Sequence, residues 1–272
     1  VKVGAAVTIS ESGIEATGVG ITCANINGTQ IGGRRNIIIN GAMMVAQRGT
    51  STTDEGYLVD RVELEQTNLN EAPTQAQVDV SSSSTPYSEG FRKAFKITNG
   101  NQTSADADDR FQVFLKQEAQ NIANSGWNYT SSTSYITLQF WVKSSVAQNF
   151  YGYLRTKDGT GQIYRFETGS LTADTWTKVT KTISGNASLT FDNNNLLGLE
   201  VVIAPFWGTD YTGSVSLNAW GAYGSGATRA PDNTSTWWTT NDATFEITGV
   251  QLEVGSQATA FEHRSFGEEL AL

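Results

Sequence analysis

The sequence predicts an all-β chain, a jelly-roll β-sandwich over residues 36–272 preceded by a short β-rich stalk segment over residues 1–35. Three observations predict it. Gly (27), Ser, Thr and Asn are abundant and Pro is scarce (4), a mixture that, with many aromatic and β-branched residues, favours short strands and turns. The second half is a procession of segments that alternate apolar and polar residues, the period of a half-buried strand. Only one segment, "DRFQVFLKQEAQNIANSGW", invites a helix.

Residues 1–35 contain no aromatic residue and run as β-like words, Val7-Thr8-Ile9 and Gly18-Val19-Gly20-Ile21, broken by Gly and Asn. Such a segment cannot bury enough surface to fold alone. Three copies about a shared axis would bury Val7, Ile9, Ile14, Val19 and Ile21 against their equivalents and pair the open strand edges. A homotrimer is therefore expected. Gly32-Gly33-Arg34-Arg35 reads as a linker.

From Asn36 the character changes. "NIIINGAM" is a compact apolar run ending in an Asn-Gly turn signal. Residues 52–90 are mostly polar, with a Ser81–Ser84 run, and are expected to be loops with one or two strands such as Val62-Glu63-Leu64. "FRKAFKIT" alternates. Phe111 to Leu115 alternates as a strand, and Lys116–Asn124 is expected to form two helical turns stopped by Gly126. "YITLQFWVKS" then places Ile136, Leu138, Phe140 and Val142 on one face. "NFYGYLRT" and "QIYRFETG" follow across an Asp158-Gly159 turn signal. "TWTKVTKTIS", "LLGLEVVIAPF", "GSVSLNAWGA" and "ATFEITGVQLEV" complete the set. In the last, Val250, Leu252 and Val254 face the core and Gln251 and Glu253 face water. Two sheets with one apolar face each bury them against one another, and eight or nine strands from Phe91 onward suit a jelly roll.

Charge and composition narrow the function. A formal net charge of −9 repels phosphate backbones, which argues against nucleic acid as a partner. No stretch of about 18 apolar residues exists, so no membrane insertion by a helix is expected. The single cysteine, Cys23, excludes an internal disulfide and any Cys-cluster metal site. The chain starts with Val and shows no signal peptide, and is expected to be a segment of something longer.

"NIIINGAMMVAQRGTS", "VDR", "ITLQFWVKSS", "TWTKVTKTISG" and "ITGVQLEVGSQATAFEHRSFGEELAL" occur in this order and at these spacings. Together they resemble the C-terminal jelly-roll domain of tail-fibre and other virion fibre proteins of tailed phages, and also β-sandwich carbohydrate-binding modules. The resemblance covers residues 36–272, and the first 35 residues are similar to the repetitive β-stalks that precede such domains. It implies a virion location, contact with other virion proteins through the N-terminal segment, and host surface polysaccharide as a partner. The closing segment then has an architectural reading. Its strand completes the sandwich, Ala260 and Phe261 plug an edge, His263-Arg264-Ser265-Phe266 runs along the surface, and Glu268 to Leu272 docks on the domain or a neighbouring subunit.

Catalysis finds little support. His263 is the only histidine, no G-x-S-x-G elbow surrounds a serine, and no motif places an acid beside them. Glycosidases need only two carboxylates, and Asp106, Asp108, Asp109 and Glu200 are candidates, but "ADADDR" reads more simply as a solvated loop. Its spacing fits no EF-hand, and "WGAYGSGATR" lacks the Lys-Ser/Thr of a phosphate cradle. No catalytic residue, metal site or cofactor is assigned. Binding is the better prospect. Trp207, Tyr211, Tyr223, Trp237 and Trp238 fall in Gly/Thr/Asn-rich segments between 205 and 242, where rings can present flat apolar faces to a pyranose while neighbouring polar groups bond its hydroxyls. The same aromatics suit an end cap of the sandwich or a subunit interface. Trp141, Trp176 and Trp220 lie within strand patterns and read as core. Two functions follow: a non-enzymatic fibre tip that binds host glycans during adsorption, or a purely structural virion appendage whose jelly roll serves trimerisation.

Overall fold

The computed structural model describes the strands at residues 7–10, 13–16, 25–26 and 29–30, and all of residues 34–224 and 228–272. In the N-terminal segment β1 (Val7–Ser10) pairs antiparallel with β2 (Gly13–Ala16), and β3 (Asn25–Ile26) with β4 (Thr29–Gln30). The strand expected at Gly18-Val19-Gly20-Ile21 lies outside the described residues.

The main body opens with β5 (Ser51–Thr52), β6 (Gly56–Tyr57), β7 (Val62–Thr67), β8 (Thr74–Asp79) and α1 (Thr85–Ser88). Next come β9 (Lys93–Thr98), β10 (Arg110–Glu118) and α2 (Ala119–Ala123). The long strands are β11 (Tyr135–Ser144), β12 (Asn149–Thr156), β13 (Gln162–Ser170), β14 (Thr177–Ser184) and β15 (Leu197–Trp207). Short β16 (Thr212–Gly213), β17 (Trp220–Ala222) and β18 (Ala230–Pro231) precede β19 (Thr244–Val254) and α3 (Phe266–Ala271).

Two antiparallel sheets form a jelly-roll sandwich, as expected. The seven-stranded sheet has the order β17-β13-β12-β15-β10-β7-β6, and the six-stranded sheet β14-β11-β19-β9-β8-β5. The chain crosses between them repeatedly, so neither sheet is assembled from one stretch of sequence. Their inner faces carry the predicted alternation. Phe111, Val113 and Leu115 of β10 and Leu199, Val201 and Ile203 of β15 bury against Ile136, Leu138, Phe140 and Val142 of β11 and Ile247, Val250 and Leu252 of β19. Ile247 and Val250 are three apart, which strict alternation forbids. A bulge resolves this: Gln139 pairs with Gln251 but Trp141 with Thr248, and Gly249 takes φ +63° in the left-handed region open to glycine.

Both turn signals hold. Asn40 adopts φ +56°, its amide donates to the Val45 and Asp60 carbonyls, and its side-chain oxygen accepts from Val45 N–H. Gly41 must lack a side chain, because a Cβ there would stand 2.0 Å from the Val250 carbonyl oxygen. Gly159, with φ +58°, turns the β12–β13 hairpin.

Four expectations are corrected. The helix predicted over Lys116–Asn124 shrinks to Ala119–Ala123, because Lys116 to Glu118 stay paired with β15. "GSVSLNAWGA" is strand only at its two ends, Gly213 in β16 and Trp220–Ala222, which pairs with β13. Gln251 and Glu253 are buried because the tail covers them: Gln251 accepts from Glu262 N–H, and Glu253 from the Thr259 N–H and hydroxyl. Arg264 does not run along the surface. Its side chain is 6% exposed, 3.1 Å from Glu262 and 3.6 Å from Glu269, while Glu269 also accepts from Asn40 N–H at 2.7 Å. Buried guanidinium needs such partners, and these pin α3 to the start of the domain. Even the Gly-Gly-Arg-Arg linker is tied at its end, since Arg35 donates to the Thr259 hydroxyl at 2.7 Å.

Candidate functional site

The five predicted aromatics separate into two groups. Trp237 and Trp238 do not face solvent. Both are fully buried, closing one end of the sandwich core against Phe111, with Phe206 stacked on Trp238 at 4.2 Å. Their indole N–H groups donate to the Thr244 carbonyl at 3.0 Å and the Ser104 carbonyl at 2.6 Å, so each ring is apolar where buried and satisfied at its polar edge. They are end-cap residues and cannot stack on a sugar. Trp207 is buried too, on the opposite face of the same sheet, stacked on Tyr153 at 5.7 Å and donating to Gln112 at 3.0 Å.

Tyr211 and Tyr223 remain half-exposed on that outer face of the seven-stranded sheet. The residues beneath them come from the positions that alternate out of the core: Arg110, Gln112, Phe114 and Lys116 of β10, Tyr151, Tyr153 and Arg155 of β12, Ile163 and Arg165 of β13, and Glu200 and Val202 of β15. Register aligns them into rows. One row runs Arg165, Tyr153, Val202, Phe114, Glu63 and Tyr57, each opposite the next on the adjoining strand. A second runs Ile163, Arg155, Glu200 and Lys116. The face thus combines an apolar aromatic strip with a charged ladder.

Guanidinium groups fix the two tyrosines. Arg155 lies 3.6 Å from the centre of the Tyr223 ring and Arg229 4.4 Å from that of Tyr211. Arg110 donates to the Tyr211 hydroxyl at 2.7 Å, and Arg229 to Gln112 at 2.8 Å. Such stacking on an aromatic face orients both partners. Glu200 is buried beneath, 3.4 Å from Lys157 and 3.8 Å from Arg155. Lys116 meets Glu63. Burial pulls the Lys116 ammonium down, but the hydrogen bond and charge of Glu63 outweigh it and hold its pKa above the ordinary lysine value. Burial lowers Arg165, with Tyr223 opposing, and raises the Tyr153 phenol. Among the described residues, Arg155 Nε, Arg229 Nε and Glu200 Oε2 are buried without a hydrogen-bond partner.

Tyr57, Phe114, Tyr151 and Tyr153 and the four arginines of this face were not singled out from the sequence. A signal was there. In "NFYGYLRT" the core takes Phe150, Gly152 and Leu154, leaving Tyr151, Tyr153 and Arg155 in the outward phase where an ordinary wet strand carries small polar residues.

The other candidates resolve as follows. Trp141 is buried on the outer face of the six-stranded sheet, outside the main core, where its N–H donates to Glu89 at 3.1 Å. Trp176 packs beside that cluster and Trp220 against the main core. Phe261 packs at 4.8 Å on Phe91 over the same outer face, so it covers a sheet face, not an edge. His263 is exposed, and its Nε2 lies 2.8 Å from the Glu89 carbonyl oxygen. In "ADADDR", Asp109 is buried and accepts from Asp106 N–H at 2.6 Å. Among the described residues no group of three or more His, Cys, Asp or Glu is placed to hold a metal ion, and no helix is long and apolar enough to cross a membrane.

No family model and no curated protein matches the chain. Among solved structures it is similar to the enzymatically active domain of tailspike protein 4 of bacteriophage CBA120, with TM-score 0.39 and 10% identity over 80% of this chain. That likeness covers 21% of the tailspike chain. A putative sugar-binding protein from Bacteroides thetaiotaomicron gives TM-score 0.38 and 13% identity, covering 80% of this chain and 99% of that one. The N-terminal cellulose-binding domain of Cellulomonas fimi β-1,4-glucanase C gives 0.35 and 10%, covering 79% and 99%. The likeness is too weak to assign the chain to any of these proteins.

Proposed function

We propose that the chain is a non-enzymatic glycan-binding module of a phage virion fibre, and that its binding surface is the outer face of the seven-stranded sheet. One observation carries this reading: Tyr211 and Tyr223 are held half-exposed by stacked guanidiniums above a strip of sheet aromatics. Rings fixed in this way offer an apolar platform to the C–H face of a pyranose at little cost in side-chain freedom. Arg110, Arg155 and Arg229, half-buried beside the rings, supply donors for its hydroxyls. The sequence resemblance to virion fibre domains supplies the biological setting, with host surface polysaccharide as the ligand.

The test is a glycan array followed by titration calorimetry with the best saccharide. Binding of a specific saccharide is expected, weakened by Tyr211→Ala or Tyr223→Ala by about 1–3 kcal/mol per ring if sugar stacking resembles base stacking, with unchanged unfolding midpoints. Equal affinity in both variants would refute this surface. A structural appendage is the second reading, and one observation favours it: Phe266 and Leu270 stand 50% and 45% exposed on α3, an apolar pair four residues apart that suits a subunit contact.

A further inference from the structure

A cavity of about 360 Å³ opens between the Arg34–Ile39 arm, α2 and the tail, away from the tyrosine face. Its lining has an unusual charge for so acidic a protein. Arg34, Arg35 and Arg264 all contribute, and among the described residues no acidic side chain does. Glu262 and Glu269 hold Arg264 from behind, and Glu268 stands near Arg34 outside the lining. Leu272 lines one side, its carbonyl oxygen taken by Arg61.

The remaining lining has two characters. Ile37, Ile39 and Val254 form a half-buried aliphatic wall. The run Ile37-Ile38-Ile39 therefore sends only Ile38 fully into the core and spends its neighbours on this cavity. The rest comes from α2 and the residues after it: the exposed Asn121 and Asn124, the latter's amide donating to the Gln120 carbonyl and to Asn193, and the half-buried Gln120 and Ser125.

We propose that this cavity binds one carboxylated pyranose, a sugar residue of the uronic-acid class, as a second saccharide site separate from the tyrosine face. A bare oxyanion would answer the arginines but leave the aliphatic wall and most of the volume empty. A neutral sugar would use the wall and the carboxamides but not the positive charge of Arg34 and Arg35. A sugar acid uses all three: its ring face on the isoleucines, its hydroxyls toward the carboxamides, its carboxylate toward the guanidiniums of the exposed Arg34 and half-buried Arg35, where charge-assisted hydrogen bonds are strongest.

The test is calorimetry of the whole chain with glucuronate- and galacturonate-containing oligosaccharides, their neutral glucose and galactose counterparts, and inorganic sulfate. The acidic sugars are expected to bind about tenfold or more tighter than the neutral ones and than sulfate, and to weaken as salt rises. Asn121→Asp, which places a carboxylate in the cavity from an exposed position, and Arg34→Gln are each expected to weaken acidic-sugar binding severalfold at unchanged unfolding midpoint. Should one variant fold poorly, the other decides. Tyr211→Ala with Tyr223→Ala should leave it intact, which separates this site from the tyrosine face. Equal affinity for neutral sugars, sulfate binding as tightly, or undiminished binding in the folded variants would each overturn the proposal.

Discussion

Trp238→Ala should destabilise the fold, not blunt a binding surface. The indole is fully buried, sandwiched between Phe206 at 4.2 Å and Phe111 at 5.3 Å. Truncation leaves a cavity lined by rings that cannot collapse into it, for a cost of about 3–5 kcal/mol. The lost hydrogen bond adds little, because its acceptor belongs to the exposed Ser104, whose carbonyl water can reach. Against a domain stability of about 5–15 kcal/mol, that loss is large. Urea unfolding followed by tryptophan fluorescence measures it as a fall in midpoint at constant slope. Trp238→Phe, which keeps one ring, should lose clearly less. An alanine variant with the parent's midpoint would refute the packing argument, and the more so if glycan binding vanished at that unchanged stability.

Asp109 offers a pH test. Burial raises its pKa, the Asp106 N–H hydrogen bond opposes this, and the neighbouring Asp106 and Asp108 charges add to it. A raised folded value means that stability linked to the proton is full below the unfolded carboxylate value of about 3.9 and is lost as pH rises through the folded value. Asp109→Asn should therefore flatten the melting-temperature profile from about pH 4 upward and be at least as stable as the parent at neutral pH; an unchanged profile with lower stability would refute it. For assembly, light scattering on the intact chain is expected to give three times the 29.3 kDa chain mass, and less on removal of the first 35 residues; a clean monomer would refute the trimer.

Where burial on one face decides the structure, the sequence was readable. Ile136, Leu138, Phe140 and Val142 alternate because one side of β11 faces the core, and the Asn40-Gly41 and Asp158-Gly159 turns announce themselves through conformations few residues adopt. Legibility failed where a face is covered by something distant. Gln251 and Glu253 look solvent-facing until the Thr259–Glu262 segment folds over them, and Arg264 looks like surface until Glu262 and Glu269 enclose it. The candidate site failed for a related reason. Trp237 and Trp238 sit in a segment with loop composition, but composition reports backbone flexibility and says nothing of which way a ring points. Tyr211 and Tyr223, in equally loop-like segments, lie over a sheet face instead of an open end, and there the rings stay half-exposed.

The place of β19 in its sheet carries a consequence for biosynthesis. It runs between β11 and β9, joining a β14-β11 pair to a β9-β8-β5 group that share no other strand. Emerging from the ribosome, the chain therefore presents two half-sheets with apolar faces and unpaired edges until residues 244–254 are made, which makes the nascent form prone to aggregate. Destabilising changes in β19 should accordingly reduce soluble yield in cells more than equal changes in β6 at the sheet margin. Synthesis must run almost to residue 254 before the second sheet can close.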